Sequence, residues 1–210
     1  MKKNLKATSI IEALIMIVIL TFWILWLYDI YIKSYYLSIS TKNKIQAIEM
    51  AREWIEAMEN IRNTNWVLLW ADPKNCWNSF NYDINCVGSD NDTYDIKSWL
   101  YKIYPDSNWK WLLEAPNTTL NSKDYSDSTY RDFFRIRKDN NWLYTQSWWT
   151  DFYPIFTREI NISYSDSNWD WTANSNDEVM NVNSIVMWKD SHWNEPHIVE
   201  LQWILTNWKK

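Results

Sequence analysis

Residues 6–28 read KATSIIEALIMIVILTFWILWLY, and this stretch decides the fold. From residue 10 to residue 28 the side chains are apolar apart from Glu12, Thr21 and the closing Tyr28. About 20 apolar residues carry an α-helix across a bilayer, so the run is long enough to span one. The residues before it, MKKNLK, are basic. Basic flanks stay cytoplasmic, which sends the rest of the chain to the far side of the membrane. A cleaved secretory signal is the competing reading. Two features argue against it: the run is long for a signal h-region, and no small-x-small cleavage site follows it. Glu12 sits just inside the run, where a carboxylate is costly and marks function.

Outward from this segment the pattern stays helical. Ile48, Ala51, Ile55 and Met58 fall at i, i+3, i+7 and i+10, with Lys44, Glu49, Glu53, Glu56 and Glu59 between them, and no Pro precedes Pro73. A helix over residues 8–62 would extend roughly 80 Å at about 1.5 Å per residue. A bilayer accommodates only part of that length. The remainder must pack against the chain's own body or against other copies.

The residues Lys6-Ala7-Thr8-Ser9-Ile10-Ile11-Glu12-Ala13-Leu14-Ile15 resemble the prepilin processing motif of type IV pilins and type II secretion pseudopilins. That motif is a basic leader, a small residue and an uninterrupted hydrophobic helix with Glu at its fifth position. The resemblance implies cleavage after Ala7 by a membrane prepilin peptidase. Thr8 becomes the new, N-methylated terminus, and Glu12 becomes the fifth mature residue. In the family this Glu pairs with the terminal amine of a neighbouring subunit during filament assembly. Such a role suits a buried carboxylate, which is tolerated only beside a cationic partner. Two positions depart from the pattern: Ala7 stands where Gly is usual, and Thr8 stands where Phe is usual. An uncleaved single-span anchor is the alternative.

The rest of the chain differs in charge and in period. Residues 1–62 carry eight Lys/Arg against six Asp/Glu, whereas residues 63–210 carry thirteen against twenty. An acidic body argues against general nucleic-acid binding, which needs Lys/Arg clusters to neutralise phosphates. Residues 131–138 (RDFFRIRK), 157–164 (TREINISY), 182–189 (VNSIVMWK) and 197–206 (HIVELQWILT) read as strands, with a shorter one in 142–146. The final pair resembles the C-terminal strand pair of minor pilin-like proteins. Residues 71–130 are rich in Asn, Asp and Ser and read as variable loops. The expected organisation is a basic leader (1–7), a transmembrane and filament-core helix (8–30) and its amphipathic continuation (31–62). A loop-rich region (63–130) and an antiparallel β-sheet region (131–210) follow. The fold class is α+β, with the helix packed on the sheet.

One composition figure is abnormal. The chain has 18 Trp and one Gly, whereas Gly is normally about 7% of residues, roughly 15 here. Asn108-Trp109, Asn141-Trp142 and Asn168-Trp169 place Trp where Asn-Gly would form a hairpin turn. Trp148-Trp149 lies in an otherwise loop-like stretch, and glycine at Trp23, Trp26 and Trp54 leaves ordinary pilin-like helix. We read most of these codons as UGA, translated as Gly in the source cell and as Trp here. Trp66, Trp188 and Trp208 fit apolar, strand-like or helix-end patterns and are read as authentic; Trp77 stays undecided. The alternative is a secreted, Trp-rich carbohydrate-binding module, which would expose about a dozen large aromatics on loops and invite aggregation.

Cys76 and Cys86 are the only cysteines. Outside the cytoplasm a disulfide between them would close the loop and restrain an irregular stretch; two free thiols are the alternative. A zinc site is disfavoured because no His or second Cys pair is near.

Residues 166–177 read DSNWDWTANSND, with oxygen-bearing side chains at positions 1, 3, 5, 7, 9 and 12. This is the spacing of a twelve-residue calcium loop, in which position 6 must be Gly. Position 6 is Trp171, so the motif matches throughout only if that residue is made as Gly. The expected ligands of a structural Ca2+ are Asp166, Asn168 and Asp170, the Thr172 carbonyl, Asn174 directly or through water, and Asp177. A solvated Asx-rich turn is the alternative.

His192 and His197 lie on or beside a terminal hairpin, and no P-loop, G-x-S-x-G or H-E-x-x-H motif is present. The expectation is a structural subunit rather than an enzyme, with prepilin peptidase/methylase, other pilin subunits and an inner-membrane assembly platform as partners. It would sit in the cytoplasmic membrane as a single-pass protein, N-terminus inside, and then in a surface pilus or secretion pseudopilus. An unprocessed, membrane-anchored, extracytoplasmic calcium-binding protein is the competing class.

Overall fold

The computed structural model describes residues 10–89, 92–138, 144–146, 151–165, 179–190 and 195–207. The chain divides into two compact units, residues 1–44 and 45–210. Helix α1 (Ile10–Leu68) supplies residues to both. In the first unit every large apolar side chain from Ile10 through Tyr31 is exposed. By length and composition α1 is able to cross a membrane, and none of its most apolar window is buried. Thr21 Oγ1 donates to the Ile17 carbonyl at 2.8 Å, which satisfies its hydroxyl within the helix itself. The first ion pair, Lys33 to Asp29 at 2.7 Å, lies beyond the apolar run.

In the second unit α1 buries a stripe of Ala47, Met50, Ala51, Trp54, Ala57, Met58 and Ile61. The spacing of three and four residues keeps these side chains on one face. Ile48, counted with the apolar face by periodicity, lies at its margin and is 36% exposed. The helix runs to Leu68 rather than stopping at the expected residue 62. Asn65 and Trp66 are buried and continue the inward face. After Leu68 the chain turns through residues 69–71, and Pro73 then opens the short helix α2 (Pro73–Cys76), capped by Asp72.

The sheet is antiparallel throughout and is organised around β5 (Asp151–Ser165). One edge of β5 pairs with β6 (Val179–Trp188), which pairs with β7 (His197–Thr206). The other edge is shared. β3 (Arg135–Lys138) takes its first half, and β1 (Leu100–Pro105) takes Ile160 and Asn161. β2 (Trp111–Glu114) extends β1, and β4 (Tyr144–Thr145) extends β3. A long helix on an antiparallel sheet is the α+β arrangement expected.

Both faces of the sheet carry buried apolar side chains, while Ile198, Trp203 and Ile204 of β7 are exposed. Ile160, Ile162, Tyr164, Met180, Val182 and Leu205 meet Trp54, Met58 and Ile61 of α1 in one core. Phe156, Val186, Trp188 and Val199 meet Ala47, Met50 and Ala51 in a second. On the opposite face Leu100, Ile185 and Met187 pack under Tyr130 and Phe134 of α3 (Ser128–Phe134).

Two expectations are corrected here. Residues 63–130, read as loops, contain β1, β2 and the start of α3. β1 is buried from both sides, Tyr101 and Ile103 facing α1 and Leu100 and Lys102 turned away. A doubly covered strand loses the alternation that marks a half-buried one. Residues 131–134, read as strand, end α3. Asp127 accepts from the Thr129 amide at 2.8 Å and starts a helix whose Tyr130 and Phe134, four residues apart, are both buried.

Candidate functional site

Glu12 lies in the first described turn of α1 and is exposed among Ile11, Leu14, Ile15 and Met16. Set in an apolar surface, it calls for a cation once water is removed. Ala7 and Thr8, the expected processing residues, lie outside the described residues.

Cys76 and Cys86 are joined in a disulfide with Cα atoms 5.5 Å apart, and both are buried. The loop they close is fastened by amides. Asn65 Nδ2 donates to the carbonyls of Trp77 and Ser79 at 3.2 and 3.0 Å. Asn81, at φ 49°, donates to the Leu113 carbonyl at 3.0 Å and accepts from the Leu113 amide at 2.8 Å. One side chain thus supplies the rung that a neighbouring strand would offer β2. Asn78 donates to the Tyr164 hydroxyl at 3.0 Å, and Tyr164 donates to the Ile96 carbonyl at 2.7 Å. Asp72 accepts from the Gly88 amide at 2.9 Å beyond the second cysteine. Sequence spacing raised the bridge as a possibility, but not these amides.

Adjacent charged residues on β5 point to opposite faces, as the strand period requires. Arg158 is fully buried on the α1 side. Its Nη1 donates to Glu53 Oε2 at 2.7 Å and to the Met50 carbonyl at 3.2 Å, and its guanidinium lies 4.0 Å from the Trp54 ring centroid. Burial pulls the Arg158 pKa down, and the charge of Glu53 opposes that. Glu159, buried on the other face, accepts from Ser122 Oγ at 2.6 Å and from the Lys123 amide at 3.1 Å. Burial pushes its carboxyl above the usual range, and these hydrogen bonds restore only part of the shift. Lys123 Nζ reaches Glu200 on β7 at 2.7 Å, so the segment before α3 is strapped to the sheet at two points. Lys102, also buried, pairs with Glu114 at 2.9 Å under the Phe133 ring. None of these charges was singled out from sequence; Arg158 and Glu159 side by side in TREINISY are the signal that could have marked the first two.

The expected calcium ligands Asp166, Asn168, Asp170, Thr172, Asn174 and Asp177 lie outside the described residues. The flanking residues are described: Ser165 and Val179 are register partners at the end of the β5–β6 ladder. Among the described residues no group of three or more His, Cys, Asp or Glu is placed to hold a metal ion. His197 stacks on Trp188 at 5.1 Å and sits 3.3 Å from Asp190; His192 lies outside the described residues.

The tryptophans occupy contrasting environments. Trp54, Trp66, Trp77 and Trp188 are buried, whereas Trp23, Trp26, Trp70, Trp99, Trp109 and Trp203 are exposed. Trp54, grouped with the glycine-like positions by sequence, fills the core beneath Arg158.

No family model, curated protein or solved structure matches this chain.

Proposed function

We propose that this chain is a type IV pilin-like subunit, a minor pilin or pseudopilin, that is held first by lipid and then by the helices of other subunits. The observation that carries the reading is α1. Its apolar half exposes every large apolar side chain from Ile10 through Tyr31, and within the apolar run, residues 10–28, it contains one carboxylate, Glu12. Its other half is amphipathic and buries its apolar face on the chain's own sheet. Exposed apolar surface of that extent needs lipid or protein to cover it. The basic leader and the small Ala7 before Thr8 supply the processing signal. In this reading prepilin peptidase cuts after Ala7, Thr8 carries the new amino group, and Glu12 meets that amine on a neighbouring copy. The acidic body then decorates or caps the assembly. A structural Ca2+ held by Asp166, Asn168, Asp170, Thr172, Asn174 and Asp177 would fasten the connection between β5 and β6.

N-terminal sequencing of the protein purified from its source cells tests processing; the expected first residue is N-methyl-Thr8, and an intact leader rejects the reading. Glu12→Ala tests assembly. The variant is expected to insert in the membrane normally and to be lost from filaments. Blocking the peptidase separates a pilin from an unprocessed anchored protein, since only the pilin is then excluded from filaments.

A further inference from the structure

The hairpin joining β1 to β2 is closed by Asp106. Its amide donates to the Lys110 carbonyl at 2.8 Å, and its carbonyl accepts from the Trp109 amide at 3.1 Å. Its Oδ1 also accepts from the amides of Asn108 and Lys110, both at 2.8 Å. Pro105 and Trp111 pair directly outside this turn. The residue that returns the chain to the strand is Trp109, at φ 62°. A turn followed by a left-handed residue is a standard short hairpin, and the left-handed position is the one glycine fills. A bulky L-residue there brings its Cβ against the backbone.

Other non-glycine residues share this region of backbone, and each has a reason to stay. Asn81 makes its paired hydrogen bonds to Leu113. Tyr82 packs against the main core, with Lys110 Nζ 5.6 Å from its ring. Lys123 is tied through its amide to Glu159 and through Nζ to Glu200. Trp109 is 73% exposed, and among the described residues its indole makes no hydrogen bond or ring contact. The one glycine of the chain, Gly88, occupies the same kind of backbone at φ 74°.

We infer that residue 109 is made as glycine in the source cell, and that Trp109 arises from reading its UGA codon with a different code. The backbone angle is a geometric ground separate from the Trp and Gly counts, and at residue 109 it joins the Asn-Trp turn pattern already read there. The exposed aromatic at the hairpin tip is then no ligand-binding feature. The cell's protein has a bare Asp-Ser-Asn-Gly-Lys turn there.

The decisive measurement is peptide mass spectrometry on the protein isolated from its source cells. Trypsin releases residues 103–110, and the mass of glycine at 109 is expected; a tryptophan-containing peptide overturns the inference. A second measurement uses the full chain made recombinantly with Trp109, in detergent. Trp109→Gly is expected to raise Tm by about 2–4 °C for a chain of this size, and Trp109→Ala, which keeps the Cβ, is not. Equal melting of the Gly and Ala variants removes the geometric ground for the assignment.

Discussion

Arg158 on β5 donates from Nη1 to Glu53 Oε2 on α1 at 2.7 Å, with the Trp54 ring 4.0 Å from its guanidinium. The arginine is fully buried and the glutamate is 41% exposed, so the two ends of the pair do not contribute equally. Removing the glutamate leaves a guanidinium in the core with only the Met50 carbonyl and an aromatic face. Breaking a buried pair costs about 3–5 kcal/mol. Solvent at Glu53 screens part of that, which reduces the figure to about 2–3 kcal/mol. Glu53→Ala is therefore expected to lower unfolding free energy by about 2–3 kcal/mol in urea titrations. The double variant Glu53→Gln/Arg158→Met should recover most of the loss, because it leaves no unpaired charge. A double variant worse than Glu53→Ala would contradict this account.

Glu159 gives a pH dependence of definite sign. Burial raises its folded-state pKa above the unfolded value. The folded protein therefore holds this proton more tightly than the unfolded chain. The stability linked to it is fully present below the unfolded pKa, about 4.3, and is lost as pH rises through the folded pKa. Tyr130, which packs on the same face, has its hydroxyl pushed up by burial first and by the Glu159 charge second, so it stays neutral across that window. Glu159→Gln should remove the dependence. The stability gap between wild type and variant should change with pH by no more than about 1.4 kcal/mol per unit, the limit for one proton. Parallel pH–stability curves for the two proteins would exclude a raised Glu159.

The sequence carried the long helix and the last strands because each shows a simple signal: an apolar run broken by one carboxylate in α1, and apolar residues clustered between turns in β6 and β7. β1 was missed since Leu100, Tyr101, Lys102 and Ile103 are all buried, in alternating directions, and no alternation survives. α3 was missed because Arg131-Asp-Phe-Phe reads as strand by residue type while its cap, Asp127, lies upstream. Arg158 and Glu159 were visible as charges in a strand, but their partners, Glu53 and Ser122, are distant in sequence. Only the folded chain brings such pairs together.

The disulfide and the amides around it should respond separately. The cysteines are ten positions apart, and a loop of about that length gives roughly 2–3 kcal/mol in the chain-entropy picture. Reduction, or Cys76→Ser with Cys86→Ser, is expected to lower stability by about that amount and leave the sheet intact by circular dichroism. Asn81→Ala should cost about 1–3 kcal/mol with the disulfide present, since it unpairs both the amide and the carbonyl of Leu113. Amide exchange at Leu113 distinguishes them: it should accelerate in the Asn81 variant more than in the cysteine variant. The opposite order would mean that the covalent bridge, not the asparagine, holds the loop on β2.

Calcium offers a test that joins the sequence pattern to the sheet. Ser165 and Val179 are paired across the β5–β6 ladder, so residues 166–178 connect two strand ends held side by side. The loop pattern needs glycine at its sixth position, which Trp171 occupies in this chain. Trp171→Gly should therefore create or restore calcium binding. Affinity should fall in the weak extracellular range, about 10⁻⁴–10⁻³ M, because Asp177 is shorter than the usual closing Glu. Ligand that binds only the folded state stabilises it, by about 0.4–1.4 kcal/mol for millimolar calcium at that affinity. Millimolar calcium should raise the Tm of the Trp171→Gly chain, chelator should reverse it, and Asp166→Ala or Asp170→Ala should abolish it. The chain carrying Trp171 should not respond. A Tm indifferent to calcium in the glycine-containing chain would leave residues 166–177 as a solvated turn.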